Sequence, residues 1–429
     1  MSKTNELFDD YATEAVPEDK TVSGFRIGMI NGNLAFAVPG LLTGLEVGTS
    51  LGFQQSVLAF LVGGVLLSLM GFITGWVGQQ NRFTSYMLLK FVFGTRGASV
   101  ISLAFVISLL GWYGVNIDLF SEVTSTFLQN EFDTELPIWL MEVALGLVIT
   151  LTTIWGFVLL DKLSGYFVPL LAVILCYMLY QTLSWQQPIP PTDYVATALS
   201  FGEAVTAVVG SFIVSVVIMP DLSRFARHKM DAAVASVFPF LGLSSFVYLV
   251  SALAGVLLGE ADVLVVMLTL GLGTFAFILL IVSSWVTNVL NLYSAGLGLK
   301  ALTPKVEHWV LVVIAGVLGT LVSSINLLDS FTSFLFGLAI IFTPVAAIYS
   351  TDFFFIRKQT RYQLSELDTA EPINYSALIA WALGVLFTYT ANHYTVSFSG
   401  IEAVDACVVT VLCYLGLRRV LQSKVKQLS

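Results

Sequence analysis

Charged residues are scarce in this chain. Asp, Glu, Lys and Arg make up only 11% of its 429 residues, whereas 57% of the residues are hydrophobic, and the mean hydropathy is +0.87. Soluble proteins carry roughly 25% charged residues, and a soluble domain does not need repeated apolar runs of about 20 residues, the length that crosses ~30 Å of hydrocarbon. The composition therefore excludes an ordinary soluble domain and predicts an all-α, multi-pass membrane protein.

Reactive and metal-binding side chains are also few. The three cysteines, Cys176, Cys407 and Cys413, lie inside apolar stretches and predict no disulfide framework. The three histidines are far apart in the sequence and predict no metal site, and neither an HExxH nor a paired CxxC motif occurs. The net charge of −9 sits in tails and loops and indicates no nucleic-acid partner. We expect neither an enzyme nor a resident cofactor, and no obligatory protein partner is evident.

Basic residues are missing from every second gap between the apolar segments, although the chain has 19 Lys and Arg in total. Basic side chains near the ends of spans stay on the cytoplasmic side of a membrane. The pattern predicts twelve spans in the cell membrane with both termini cytoplasmic, including an acidic tail over 1–24 and a second tail over 419–429. The predicted spans are about 25–45, 56–78, 98–128, 137–158, 164–183, 200–219, 233–258, 274–299, 308–324, 329–348, 373–393 and 400–418.

Two further segments are expected to be helical without crossing the membrane. Residues 263–273 are apolar but short, and a crossing there would invert every later basic gap. Residues 82–95 mix basic and aromatic side chains and predict an amphipathic helix on the inner surface.

The first span contains residues that interrupt helices. Gly32, Pro39 and Gly40 lie near its mid-depth, and proline removes a backbone donor while glycine tolerates irregular dihedrals, so we expect a break near 37–40. A second, weaker break is expected in span six around Gly210 and its neighbouring serines. Paired interruptions five spans apart are typical of transporters built from inverted repeats with a site at mid-membrane. The predicted units are a first five-helix repeat over 25–185, an inverted repeat over 200–356, and two additional helices over 373–418.

Several motifs resemble the nucleobase:cation symporter family, most closely its cytosine permease branch. The run WVTNVLNLYSAGLG over 285–298 resembles the eighth span of that family, and further matches occur at 91–97, 111–114, 210–212 with 221–225, and at Asp352 with Arg357. The resemblance implies the leucine-transporter fold and import of a cytosine, purine or related pyrimidine by alternating access, coupled to a cation. A hydantoin- or allantoin-type ureide as substrate, and a channel or ligand sensor as function, stay open as alternatives.

A planar heterocycle needs aromatic faces and a few polar groups for its edge. The resemblance gives the stacking roles to Trp112 and Phe212. The polar candidates are Asn116, Ser211, Ser215 and Asn288, with Asn291 as a further one, and Phe36 and Ala37 at the break complete the predicted substrate set. The cytosine permease branch has a glutamine where this chain has Leu109, which leaves the substrate open.

The resemblance places the coupling cation between the broken first span and span eight. The ligands it implies for Na⁺ are the carbonyls of Asn33 and Phe36 and the hydroxyls of Ser283 and Thr287. The family usually has a further hydroxyl where this chain has Val286, so Na⁺ and H⁺ are both open. A buried carboxyl can exchange protons near neutrality, and Asp118 in span three is the candidate proton carrier; the alternative is that it lies solvated at the outer interface.

Overall fold

The computed structural model describes residues 15–154, 157–186, 198–303, 305–325, 330–393 and 397–428. Residues 1–14 of the predicted N-terminal tail, residues 155 and 156 of predicted span four, and the predicted start of span ten at 329 lie outside the described residues. The helices are α1 (Gly24–Gly32), α2 (Val38–Leu51), α3 (Phe53–Asn81), α4 (Ser85–Phe93), α5 (Gly97–Phe132), α6 (Ile138–Ile154), α7 (Phe157–Leu183), α8 (Phe201–Val217), α9 (Met219–Ser223), α10 (Lys229–Val237), α11 (Ser244–Leu258), α12 (Val263–Thr269), α13 (Thr274–Leu302), α14 (His308–Ser323), α15 (Phe331–Thr351), α16 (Glu366–Thr369), α17 (Tyr375–His393) and α18 (Glu402–Leu428).

The helices have the lengths that a multi-pass membrane protein requires. Within the described ranges, six are long and apolar enough to cross a membrane, and α1 with α2 counts as a seventh if the bent pair is one span. Four further apolar stretches are shorter, namely α6, α8, α14 and Tyr375–Ala391 of α17. The last helix, α18, continues past the predicted end of span twelve at 418 as far as Leu428. A count of twelve crossings therefore stays a prediction.

The predicted break in the first span is confirmed. A 3₁₀ turn over Asn33–Phe36 follows α1, Ala37 is extended with φ −63° and ψ 148°, and α2 leaves at an angle of 61° to the preceding segment. Pro39 lies in the first turn of α2, where a missing backbone N–H costs no hydrogen bond. A Cβ atom on Gly40 would lie 2.8 Å from the carbonyl oxygen of Ala35, so the close approach of these two backbone segments at the break requires glycine.

The predicted break at Gly210 is wrong. Helix α8 runs without interruption over Phe201–Val217, and a Cβ atom on Gly210 would lie 2.1 Å from the carbonyl oxygen of Leu335 in α15. This glycine allows two helices to approach closely, a common use of small residues in membranes. The chain leaves the α-helical conformation at Ile218, and α9 begins at Met219 with Pro220 in its first turn.

Long-range packing brings the broken segment and its neighbours against helices from distant parts of the sequence. Helix α2 packs on α11 and α8, α5 packs on α13, α8 packs on α15, and the 3₁₀ turn contacts α13. The two segments predicted not to cross are short helices, α4 and α12. Helix α4 is joined to α9 because the Asp221 carboxylate accepts hydrogen bonds from the backbone N–H and hydroxyl of Ser85, at 2.8 and 2.7 Å.

Candidate substrate and cation site

A cavity of about 160 Å³ lies at the break in the first span. Residues of α1, the 3₁₀ turn, α2, α4, α5, α8, α9 and α13 line it, so the two ends of the broken helix and distant helices meet there. Of the predicted site residues, the lining includes Ala37, Trp112, Asn116, Ser211, Phe212, Ser215, Thr287 and Asn291.

The two predicted stacking residues reach this cavity from different helices. Trp112 of α5 is 9% exposed and has Phe334 of α15 edge-on at a ring distance of 5.1 Å. Phe212 of α8 is 6% exposed and packs against Phe240 and Tyr248, with ring centroids 5.8 and 6.5 Å away. Neighbouring aromatic side chains hold both rings, so the cavity has aromatic walls from α5 and α8.

Asn116 presents an acceptor without a partner. Its Nδ2 atom donates to the carbonyl oxygen of Trp112 at 2.7 Å, which fixes the orientation of the amide. Its Oδ1 atom is buried and has no hydrogen-bond partner among the described residues. An unmatched buried polar atom costs ~1–3 kcal/mol. The arrangement therefore favours a bound molecule that donates an N–H to this oxygen.

A hydrogen bond between α1 and α8 lies in the cavity wall. Ser215 Oγ donates to Asn31 Oδ1 at 2.6 Å, and Asn31 Nδ2 donates to the thioether sulfur of Met219 at 3.7 Å. Ser211 Oγ and the hydroxyl of Tyr248 lie 2.6 Å apart. Sequence reasoning missed Asn31. The available signal was an amide one turn before the break, but Asn33 in the same run was favoured.

Other predicted residues lie behind the lining. Asn288 is fully buried, its Nδ2 donates to the carbonyl oxygen of Tyr113 at 3.2 Å, and its Oδ1 accepts from Asn291 at 3.4 Å. This amide therefore ties α13 to α5, while Asn291 lines the cavity. Phe36 is buried in the core beside the break and does not line the cavity.

The proposed cation ligands lie on two elements in contact, the 3₁₀ turn and α13. The Thr287 hydroxyl is buried and has no hydrogen-bond partner among the described residues, whereas Ser283 Oγ donates to the carbonyl oxygen of Leu280 at 3.3 Å. Hard cations prefer oxygen ligands, and the carbonyls of the turn and the hydroxyls of Ser283 and Thr287 are all oxygen groups. Val286 is buried and supplies no oxygen. Asp118 is 7% exposed in α5 and does not line the cavity.

The cavity wall extends towards one end of the helix bundle. The lining at this end consists of Tyr86, Asp221, Arg224 and Leu297. These residues lie near the gaps between spans that carry Lys and Arg, and this end of the bundle is termed the basic side. No residue of α15 belongs to the lining. The motif at 221–225 indicated the family, but its contact with the cavity through Asp221, Leu222 and Arg224 was not predicted.

Comparisons with known proteins identify the family. A sequence profile described as permease for cytosine/purines, uracil, thiamine, allantoin matches residues 34–411. The chain is 30% identical to the cytosine permease of Escherichia coli K12 over 427 residues, 99% of this chain and 97% of the relative. It is 23% identical over 408 residues to the hydantoin permease of Microbacterium maritypicum, covering 86% of this chain and 82% of the relative.

Solved structures share the fold. The structure of Mhp1, a nucleobase-cation-symport-1 family transporter, in a closed conformation with bromovinylhydantoin bound, matches with a TM-score of 0.82 and 18% identity, over 97% of this chain and 96% of that chain. An inward-facing conformation of Mhp1 matches with a TM-score of 0.78 and 17% identity, over 96% of this chain and 95% of that chain. The chain belongs to the cytosine/purine permease family, as the motifs indicated, and its fold is the one seen in Mhp1.

Proposed function

We propose that this member of the cytosine/purine permease family imports a nucleobase-type heterocycle together with a cation, by alternating access around the cavity at the broken first span. The observation that carries the proposal is one cavity at which Trp112, Phe212 and the unpartnered Oδ1 atom of Asn116 meet. The sequence is 30% identical to a cytosine permease over 99% of this chain, which supports cytosine as the first substrate to test.

The lining suggests how a planar ring is held. Each aromatic pair contributes ~0.5–1.5 kcal/mol beyond area burial, so Trp112 and Phe212 supply the faces. Asn116 accepts a ring or exocyclic N–H, and Asn31 offers its Nδ2 atom as a donor. Leu109 also lines the cavity and offers no hydrogen bond. The expected substrate is therefore flat and small, with a donor and an acceptor on its edge and one apolar side.

The topology proposed with this function has twelve spans in the cell membrane. The repeats are 25–185 and 200–356, followed by the additional helices over 373–418, with both termini on the basic, cytoplasmic side. In this orientation, the lining residues Tyr86 and Arg224 face the cytoplasmic half of the protein.

For the cation we propose Na⁺ bound by the carbonyls of Asn33 and Phe36 with Ser283 and Thr287, and for H⁺ coupling a carboxyl such as Asp118. Replacing Thr287 by Ala should reduce the Na⁺ dependence of substrate binding if the first scheme holds. Thr343→Ala is the matched control, because its hydroxyl is also buried without a partner among the described residues but lies on α15. Equal Na⁺ dependence in the parent protein and in Thr287→Ala would contradict Na⁺ coordination at this position.

Transport by reconstituted protein tests the function directly. Vesicles receive labelled cytosine under a Na⁺ gradient or a pH gradient, imposed separately. Saturable accumulation driven by one of them is expected, and Trp112→Ala and Phe212→Ala should reduce it. Trp309→Ala is the control, since Trp309 of α14 is 57% exposed and does not line the cavity.

Competing ligands separate the alternatives. Excess unlabelled cytosine, adenine, uracil, hydantoin and allantoin are each added to the uptake of labelled cytosine, and their inhibition ranks the substrates. Stronger inhibition by hydantoin than by unlabelled cytosine would favour a ureide as the substrate. Equilibration without accumulation would indicate a channel, and binding without uptake would indicate a sensor. If none of these compounds binds, the heterocycle assignment is wrong.

A further inference from the structure

A carboxylate joins two helices on the side of the cavity away from the basic residues. Glu46 of α2 is half-buried, and its Oε2 atom accepts a hydrogen bond from the hydroxyl of Thr332 in α15 at 2.6 Å. Among the described residues, this is the one hydrogen bond recorded for the carboxylate. The bond connects the outer half of the broken span to the first turn of a distant helix.

The start of α15 covers the aromatic wall of the cavity. Phe331 and Phe334, on either side of Thr332, lie edge-on to Trp112 at ring distances of 6.2 and 5.1 Å. Neither phenylalanine lines the cavity, and α15 begins after a gap without Lys or Arg. The Glu46–Thr332 bond joins α2 to this end of α15, next to the wall that Trp112 forms.

Neither of the two helices joined by this bond, α2 and α15, contains Lys or Arg. The sequence has no Lys or Arg between Arg26 and Arg82, and none within α15. The elements packed against α2 are the 3₁₀ turn, α3, α5, α8, α11, α12 and α13. Their titratable residues, with that of α15, are Tyr113, Asp118, Glu122, Glu131, Glu203, Tyr248, Tyr293, Lys300 and Tyr349.

The one cation in that set is remote from the outer side. Lys300 lies in the last turn of α13, next to a basic gap, and its ammonium donates to the carbonyl oxygen of Val306 at 2.7 Å. Glu46 is thus a carboxylate partly withdrawn from water among acids and neutral groups. Its half-buried position leaves a route for a proton from the outer solution.

We propose that Glu46 is a proton-binding site of the outer gate, with Thr332 as its gate partner. A proton from the external solution converts the carboxylate to a carboxylic acid, and the charge-assisted bond from Thr332 becomes a weaker neutral one. Low external pH therefore favours separation of α2 from α15 and access to the cavity from outside. The assignment rests on the proposed function, since it gives one step of the transport cycle to Glu46.

Thiol labelling of a residue behind the gate measures this opening without any substrate. The reporter is Thr43→Cys, one turn nearer the break than Glu46 and 1% exposed. It is placed in protein whose three native cysteines are replaced by Ala. Intact cells are treated with a membrane-impermeant maleimide at a series of external pH values, and each rate is divided by the rate for unfolded protein at the same pH, which corrects for thiolate formation.

The parent reporter protein should label roughly fivefold faster at acidic than at alkaline pH, the change expected for replacing a charged hydrogen bond by a neutral one. Glu46→Gln and Thr332→Val should both label at the fast rate at every pH. The matched control is Thr206→Val, which removes another threonine–carboxylate bond of 2.6 Å, to Glu402, between α8 and α18. It should retain the pH response of the parent.

Two results overturn the proposal: parent labelling that is independent of pH, or a Glu46→Gln protein that keeps the parent response. Glu46→Asp retains a titratable group and should keep a pH response, so it provides a second check if the amide variant folds poorly. Failure of this test with intact cytosine uptake would refute the role of Glu46 alone. Absence of uptake with a normal labelling response would refute the transport assignment instead.

Discussion

The hydrogen bond between Asn31 and Ser215 makes a quantitative prediction about substrate binding. It joins the last turn before the break to α8, and both residues line the cavity. Without Ser215, the Oδ1 atom of Asn31 loses its partner, and the amide is free to rotate away from the substrate. Without Asn31, the Ser215 hydroxyl has no side-chain amide to hold in place, so it no longer contributes to substrate binding through this bond.

The magnitude follows from the value of one neutral hydrogen bond. A bond worth ~0.5–1.5 kcal/mol corresponds to roughly a two- to thirteenfold change in Kd, which is the effect expected for Ser215→Ala on cytosine binding. Asn31→Ala also removes the Nδ2 donor proposed for the ring edge. Two hydrogen bonds are then lost, and the Kd for cytosine should rise by roughly five- to 150-fold. The double variant should resemble Asn31→Ala alone.

Isothermal titration of the purified proteins with cytosine provides the four Kd values of this double-mutant cycle. Ser236→Ala is the control, because it removes a buried serine whose hydroxyl bonds within its own helix to the carbonyl oxygen of Ala232 at 2.9 Å. It should leave the Kd unchanged. Additive effects of Asn31→Ala and Ser215→Ala, or an unchanged Kd in both, would refute the reasoning that the bond positions the amide for the substrate.

Three further predictions concern packing and charge. Gly210→Ala should prevent recovery of folded protein, because its Cβ would meet the Leu335 carbonyl at 2.1 Å, whereas Gly337→Ala has open space and should preserve or raise the unfolding temperature. Asp352→Ala should destabilise the protein by about 3 kcal/mol in chemical unfolding, since the carboxylate accepts two tyrosine hydroxyls at 2.9 and 2.7 Å and faces two arginines; an unchanged midpoint would count against a structural role. Asp118→Asn should abolish accumulation driven by a pH gradient if that carboxyl carries the proton, and accumulation equal to that of the parent protein would exclude it.

The part of the fold that could be predicted depends on local chemistry. Pro39 and Gly40 in sequence predict the break in the first span, since proline lacks the donor and glycine tolerates the turn. Gly210 has no such local meaning. Its role depends on the carbonyl oxygen of Leu335, which is far away in the sequence, and a sequence pattern does not reveal which backbone will approach a glycine.

The same limit applies to the site. The motifs indicated Trp112 and Phe212, and both reach the cavity. Among the amides, Asn288 was favoured over Asn291, yet only Asn291 lines the cavity. The two residues are three positions apart on α13, and a small rotation of the helix decides which one faces inward. Asn31 lies in the last turn before the 61° bend and meets Ser215 of α8, which is 184 positions away in the sequence and therefore gives no local signal.

A structure of the protein determined by electron cryo-microscopy with cytosine provides the most direct test of the central claim, that the broken first span and α8 hold a planar heterocycle at mid-membrane. The account predicts a flat ring at the break, in contact with Trp112 and Phe212, with an N–H within hydrogen-bond distance of Asn116 Oδ1. A ring bound elsewhere, or a bound ring that contacts neither aromatic side chain, would contradict it.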